Sequence, residues 1–156
     1  MDAQRKQPFE LTASLEDYLE AIKEIIDSSG EDHAHSIDIA KRLKVAKPSV
    51  TYALGTLRER GYLNYNANYP VTLTPLGEEA AMRVIRRHRV LTTFLSEVLR
   101  LEKEVAGATA CKIEHVIDDR LLDRLEVLSE ALSPSAENQA LWERLLAGYA
   151  ERDNEL

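Results

Sequence analysis

A single cysteine, Cys111, is all the thiol chemistry in the 156-residue chain. No intramolecular disulfide can form, so a disulfide-stapled secreted scaffold is excluded. Long apolar runs are missing as well. Nothing after residues 1–6 reads as a signal peptide, and no later stretch reads as a bilayer span. These absences predict a cytoplasmic protein with no membrane partner. Positive charge is in short supply: Lys and Arg total 20 against 27 Asp and Glu, a net charge of −7. A protein that coats nucleic acid without selectivity is basic all over, and this one is not. What is present is ordinary for a globular chain, 44% hydrophobic and 30% charged, long enough for one good core or two small modules.

The average charge conceals a polarity. Between His35 and Tyr65 the basic residues are Lys41, Arg42, Lys44, Lys47, Arg58 and Arg60, opposed only by Asp38 and Glu59. From Glu97 to Leu156 the acidic residues outnumber the basic ones two to one. This asymmetry suggests a polyanion-binding module joined to something else.

Apolar periodicity predicts helices for most of the chain. Ser14 reads as an N-cap, followed by Leu15, Tyr18, Leu19, Ile22, Ile25 and Ile26 at helical spacing up to Gly30. Ser36 opens a short helix through Leu43, and Lys47-Pro48-Ser49 starts a third, stopped by Gly61. Residues 61–77 carry no charge at all, and Tyr62–Tyr65 and Val71–Thr74 have the composition of a two-stranded hairpin. Thr74-Pro75 begins a long helix expected to reach about Leu101. Further helices are expected from Cys111 to about Asp118, from Leu121 to Leu132, and over a last amphipathic stretch with Leu141, Trp142, Leu145 and Leu146. The reading is a mainly α protein: a winged helix-turn-helix DNA-binding domain over 1–76 and a helical domain over 77–156.

Helix, tight turn, helix and hairpin is the order of a winged helix-turn-helix, in which the second helix of the pair enters the major groove. Candidate DNA contacts are Ser36, Lys47, Ser49, Thr51, Tyr52, Arg58 and Arg60, whose hydroxyls and basic tips suit phosphate anchoring with limited base contact. A plain helical bundle with a solvated face explains neither the local charge nor the hairpin.

Three segments carry candidate ligands. Asp17 and Glu20 are three apart, on one face of a helix. Cys111, Glu114 and His115 follow an i, i+3, i+4 pattern that gathers thiolate, carboxylate and imidazole. His88 lies late on the long helix. Such a mixed-softness set suits a divalent first-row metal. Taken singly, each piece is more often structural: paired carboxylates are solvated, a lone His or Cys packs.

With these residues the chain resembles the iron- and manganese-responsive repressors of the diphtheria toxin repressor and manganese transport regulator family, from about Ser14 to Leu132. The matching motifs are 15–20 (Leu-Glu-Asp-Tyr-Leu-Glu), 37–40 (Ile-Asp-Ile-Ala), 48–51 (Pro-Ser-Val-Thr), 73–77 (Leu-Thr-Pro-Leu-Gly), 87–89 (Arg-His-Arg) and 111–115 (Cys-Lys-Ile-Glu-His). The resemblance implies a winged-helix domain, a helical dimerisation domain, a metal site drawing on both, and repression of metal-uptake genes by a metal-loaded homodimer on a palindromic double-stranded operator. It implies a two-domain form, without the SH3-like domain of longer members. Asp17, Glu20 and His88 match ligands of the manganese-type branch, and Glu114 and His115 match ligands of both. Cys111 departs, since manganese-type members carry Glu there and iron-type members Cys; Asp17 stands where iron-type members have Met. The ancillary site of the iron-type branch keeps only His88, with Thr92 and Gly107 in place of a Glu and a His. A thiolate disfavours hard Mn²⁺ relative to Fe²⁺, Co²⁺ or Zn²⁺, while three carboxylates favour Mn²⁺ and Fe²⁺. Fe²⁺ is the first expectation and Mn²⁺ the second, with Zn²⁺ or Co²⁺ binding in vitro.

Two other classes remain. A winged-helix regulator answering to an organic ligand or a thiol oxidant would use Cys111 alone. An enzyme with a Cys111–His115 nucleophile pair would need an oxyanion hole or substrate pocket, and none is legible.

Overall fold

The structure is a computed structural model that describes residues 11–67, 69–135 and 137–153. Its elements run α1 (Ala13–Ser29), α2 (Ser36–Leu43), α3 (Lys47–Glu59), β1 (Leu63–Asn64), β2 (Thr72–Leu73), α4 (Pro75–Thr93), a π-helical turn (Phe94–Val98), α5 (Lys103–Ile113), α6 (Asp119–Ala131) and α7 (Gln139–Asp153). The chain separates into two compact units, Met1–His88 and Arg89–Leu156.

In the first unit, α1, α2 and α3 bury one side each around Leu19, Ile22, Ile39, Val50, Leu54 and Leu57, all fully enclosed. The N-cap of α1 is Thr12, in extended conformation, with its side chain accepting from the Leu15 amide. Ser14, the expected cap, lies inside the first turn: the helix begins at Ala13 because Thr12 is the residue with non-helical backbone and a side chain able to reach a free N–H. Lys44 closes α2 in the left-handed region (φ 54°) and Val45 begins the short turn into α3. Pro48 sits in the first turn of α3 as expected.

The hairpin is shorter than its β-rich composition suggested. Leu63 pairs with Leu73 and Asn64 with Thr72, antiparallel. It gains a partner the sequence did not announce, because Ala34 bridges Val71 through two backbone hydrogen bonds of 2.8 and 2.9 Å. Both residues are buried. Behind the hairpin, Thr74 donates its hydroxyl to Gly61 and accepts from the Gly77 amide. A Cβ at Gly77 would lie 2.0 Å from the Tyr62 carbonyl oxygen, so α4 leaves the hairpin closely enough that only glycine fits.

The long helix ends earlier than expected. Its α-helical part stops at Thr93, and the π-helical turn follows, with the Leu99 amide bonded to Phe94 five residues back. Arg100, at φ 59°, then takes the backbone out of the helical region, which a continuous helix to Leu101 does not allow. In the second unit Val90, Leu91, Leu95, Ala106, Ala110, Ile117 and Leu122 form the core. The expected Cys111–Asp118 helix is displaced: α5 starts at Lys103 and ends at Ile113, while Asp118 caps α6 by accepting from the Arg120 amide. The first turns of α5 face the core with alanines, which carry little hydrophobic signal in a sequence. Trp142 of α7 is buried, donates its indole N–H to the Leu132 carbonyl at 2.7 Å and lies under the Arg100 guanidinium, 4.6 Å from the ring centroid.

Candidate metal centre and nucleic-acid interface

On α3 the residues divide by face. Val50, Ala53, Leu54 and Leu57 point inward. Lys47, Ser49, Thr51, Tyr52 and Arg58 are exposed, Tyr52 to 79%. The Thr51 and Thr56 hydroxyls donate to the carbonyls of Lys47 and Tyr52 in the turn before, leaving their oxygens as acceptors on the outer face. The N-cap of α3, Ala46, has no side chain able to cap; Pro48 carries no N–H and the Ser49 and Val50 amides bond to the Ala46 carbonyl, so Lys47 is the cationic group at the positive end of this helix. Ser36 is the first residue of α2, half-buried. Arg60 differs from the other candidates. It caps α3 and lines a groove with Thr12, Ser14, Tyr18, Ser49 and Tyr52, and its Nη1 is buried without a hydrogen-bond partner among the described residues.

The candidate ligands of the first unit lie on α1 and α4. Asp17 and Glu20 occupy adjacent turns on one face of α1, both half-buried. His88, also half-buried, lies on α4. The two helices are joined beside these residues by Arg87 and Glu16, 3.9 Å apart and both mostly shielded, and further along by Lys23 and Glu78 at 3.1 Å. The Lys23 amine is held above the usual lysine pKa, first by its hydrogen bond to Asp27 and then, against the opposing effect of burial, by Glu78. Burial likewise pushes the Tyr18 phenol up. Sequence reasoning missed both clasps, because partners so far apart in the chain reveal no pairing without the fold.

In the second unit the donors sit where α5 runs out. Cys111 is exposed, in the last turn. Glu114 is the C-cap with helical backbone, and its amide still bonds to Ala110 at 2.9 Å. The expected i, i+3, i+4 gathering therefore reaches Glu114 although the regular helix ends one residue before it, with His115 in the following turn. Glu114 is 1% exposed, the one buried charged side chain among the described residues, and its Oε1 lies 3.5 Å from His115 Nε2. A carboxylate at that depth requires compensating charge or hydrogen bonds. Thiolate, carboxylate and imidazole at one helix end are a donor set that fits a divalent transition metal.

Comparison with known proteins agrees with both halves. The family described as the iron dependent repressor N-terminal DNA binding domain matches residues 10–69. The iron dependent repressor metal binding and dimerisation domain matches residues 74–135. An uncharacterized HTH-type transcriptional regulator of Methanocaldococcus jannaschii is 34% identical over 120 residues, 77% of this chain and 95% of its own length. The HTH-type transcriptional regulator MntR of Lysinibacillus sphaericus is 35% identical over 127 residues, 76% of this chain and 86% of its own length. Among solved structures, that of T. acidophilum IdeR is similar with a TM-score of 0.62 and 29% identity, over 70% of this chain and 51% of that one. A manganese-dependent transcriptional repressor in complex with manganese gives 0.65 and 29%, over 74% and 52%. The chain thus spans about half the length of these two solved chains. Among the described residues no helix is long and apolar enough to cross a membrane. With a DNA-binding half and a metal-binding, dimerising half both matched, the chain belongs to the iron-dependent repressor family of metal-dependent DNA-binding transcriptional regulators, which are not enzymes.

Proposed function

We propose that the protein represses metal-uptake genes by binding a palindromic operator as a homodimer when Fe²⁺ or Mn²⁺ is bound, with residues 1–76 as the DNA-binding domain and 77–156 as the metal-binding and dimerisation domain. The observation that carries this reading is the buried Glu114 beside His115 at the end of α5, with Cys111 one turn earlier, in a chain whose other half presents an exposed basic and hydroxyl face on α3. Asp17, Glu20 and His88 complete the proposed ligand set.

The Asp17, Glu20 and Glu114 carboxylates would be among the ligands of a divalent ion, which would supply positive charge to offset theirs. The donors come from both units, so filling the set restricts the motion of one unit against the other and thereby sets the spacing of the two α3 helices in the dimer. Lacking it, the carboxylates repel one another. A coupling of about 1–3 kcal/mol changes operator affinity roughly 5- to 150-fold. Ser36, Lys47, Ser49, Thr51, Tyr52 and Arg58 make the contacts to DNA, with Arg60 set back in its groove.

Cys111 orders the ions. A thiolate favours Fe²⁺ over Mn²⁺, whereas the similarity to a manganese-dependent repressor at 29% identity favours Mn²⁺; we put Fe²⁺ first because Cys111 is this chain's own residue. The test is a mobility shift on a palindromic operator with each ion in turn, with a chelator, and on Glu114→Ala. Tight binding only with Fe²⁺ or Mn²⁺, abolished in Glu114→Ala, is the expected result. Equal affinity under all conditions removes metal from the mechanism.

A further inference from the structure

Two of the four histidines of the chain, His33 and His35, take no part in the ligand set described above. They lie between α1 and α2 in the segment Glu31-Asp32-His33-Ala34-His35. Gly30 ends α1 in the left-handed region at φ 72°. Ala34 is pinned to Val71 by a pair of backbone hydrogen bonds and buried at 1% exposure. An extended residue whose side chain points inward turns its two neighbours outward together. His33 and His35 accordingly share one face, with ring centroids 5.1 Å apart and planes perpendicular.

The surroundings of His33 are those of a metal ligand. Its Nδ1 is hydrogen-bonded to Asp32 Oδ1 at 2.9 Å, and its Nε2 lies 3.3 Å from Glu31 Oε2. In the tautomer that keeps the proton on Nδ1 for Asp32, the Nε2 lone pair is left for an ion held together with Glu31. Metal-binding imidazoles are oriented in this way by a carboxylate on the far nitrogen. One donor atom each from Glu31, His33 and His35 lie within 4.8 Å of one another, a spacing that exposed side chains close around an ion with bonds of about 2.0–2.2 Å.

We propose that Glu31, His33 and His35 form a second divalent-metal site, oriented by Asp32, that takes borderline ions of the Zn²⁺, Co²⁺ and Ni²⁺ class. Two imidazoles and a single carboxylate rank these ions above Mn²⁺. The site is distinct from Asp17 and Glu20, because Glu20 stands about 14 Å from the end of the same helix at roughly 1.5 Å per residue. Through Ala34 it braces the junction of α2 with the hairpin, so a bound ion ties down the start of the helix pair without using any residue of the proposed regulatory set.

The experiment is a Zn²⁺ titration of the full chain, read as ions bound per chain, with the imidazole NMR signals followed in parallel. The His33→Gln/His35→Gln variant should bind one ion fewer than the parent. Glu31→Gln should retain the fold and weaken that ion at least about tenfold, the scale seen even for partners outside the ligand shell. Cys111→Ala/Glu114→Ala should keep it unchanged, with His33 and His35 still the perturbed rings. If the double histidine variant binds as many ions as tightly as the parent, His33 is simply ion-paired to Glu31 and Asp32 and the proposal fails. Failure of the regulatory reading is separate: the Cys111→Ala/Glu114→Ala variant would then match the parent, while the histidine variant would still lose its ion.

Discussion

Glu114 is surrounded closely enough that 1% of it is exposed, yet it carries a group that ordinarily stays in water. In the proposed ligand set Glu114 and its neighbour Cys111 hold one ion, and the thiolate is the donor that sets which ion is preferred. Cys111→Glu exchanges a soft donor for a hard one and should move the preference in an operator-binding titration toward Mn²⁺, while Cys111→Ala should lose affinity for the softer ions. Loading should also weaken as pH falls, since a thiolate ligand must be deprotonated. A Cys111→Ala protein that responds to every ion as the parent does would make the cysteine a mere space-filler. At the same scale, Gly77→Ala places a methyl group 2.0 Å from the Tyr62 carbonyl. The backbone must shift, and thermal unfolding should show a loss of about 1–3 kcal/mol.

Among elements, α3 and the hairpin differ sharply in charge. Lys47 and Arg58 are exposed on α3, whereas residues 61–77 carry no charge, so in the proposed interface the cationic contacts to phosphate are assigned to the helix. Lys47→Ala or Arg58→Ala should weaken operator binding even with metal in excess, each lowering the salt slope by about one unit. An unchanged slope would assign the phosphate contacts elsewhere. The clasp between α1 and α4 has its own pH signature. Lys23 has its pKa raised by Asp27 and Glu78, so its contribution is complete below the unfolded lysine value and is lost as pH rises through the folded one. Alkaline denaturation of Lys23→Met should accordingly be flatter than that of the parent above the usual lysine range. Hairpin and helix ends were only partly legible in the sequence. Composition marked Tyr62–Tyr65 and Val71–Thr74 as strands, but pairing holds at two residues each, because register depends on the partner that Ala34 supplies and not on propensity alone.

For the whole molecule, the family assigns dimerisation to the second half. Leu122 is buried in the core of its own unit and Leu125 packs against it, partly buried. Leu121 and Leu128 stay exposed, at 50% and 43%, and are the residues of that face available to a symmetry mate. Sedimentation should show a dimer with and without metal, and Leu121→Glu/Leu128→Glu should shift it toward monomer. A metal-loaded monomer would overturn the spacing mechanism, whose two half-sites lie about one helical turn apart. Metal should also raise the melting temperature, because the ion favours the folded chain.

The sequence by itself determined the helical periodicity, the helix-turn-helix order and the i, i+3, i+4 spacing of Cys111, Glu114 and His115. These are local properties, set by side-chain spacing along one element and readable wherever that spacing repeats. The start of α5 escaped it because Ala106, Gly107 and Ala110 bury little surface and leave no hydrophobic period to read. Tertiary structure alone decided which carboxylate is buried, which leucines of α6 belong to the core, and that Ala34 joins Val71. Each of those depends on contacts between residues far apart in the chain, where burial and hydrogen-bond satisfaction, not propensity, select the arrangement.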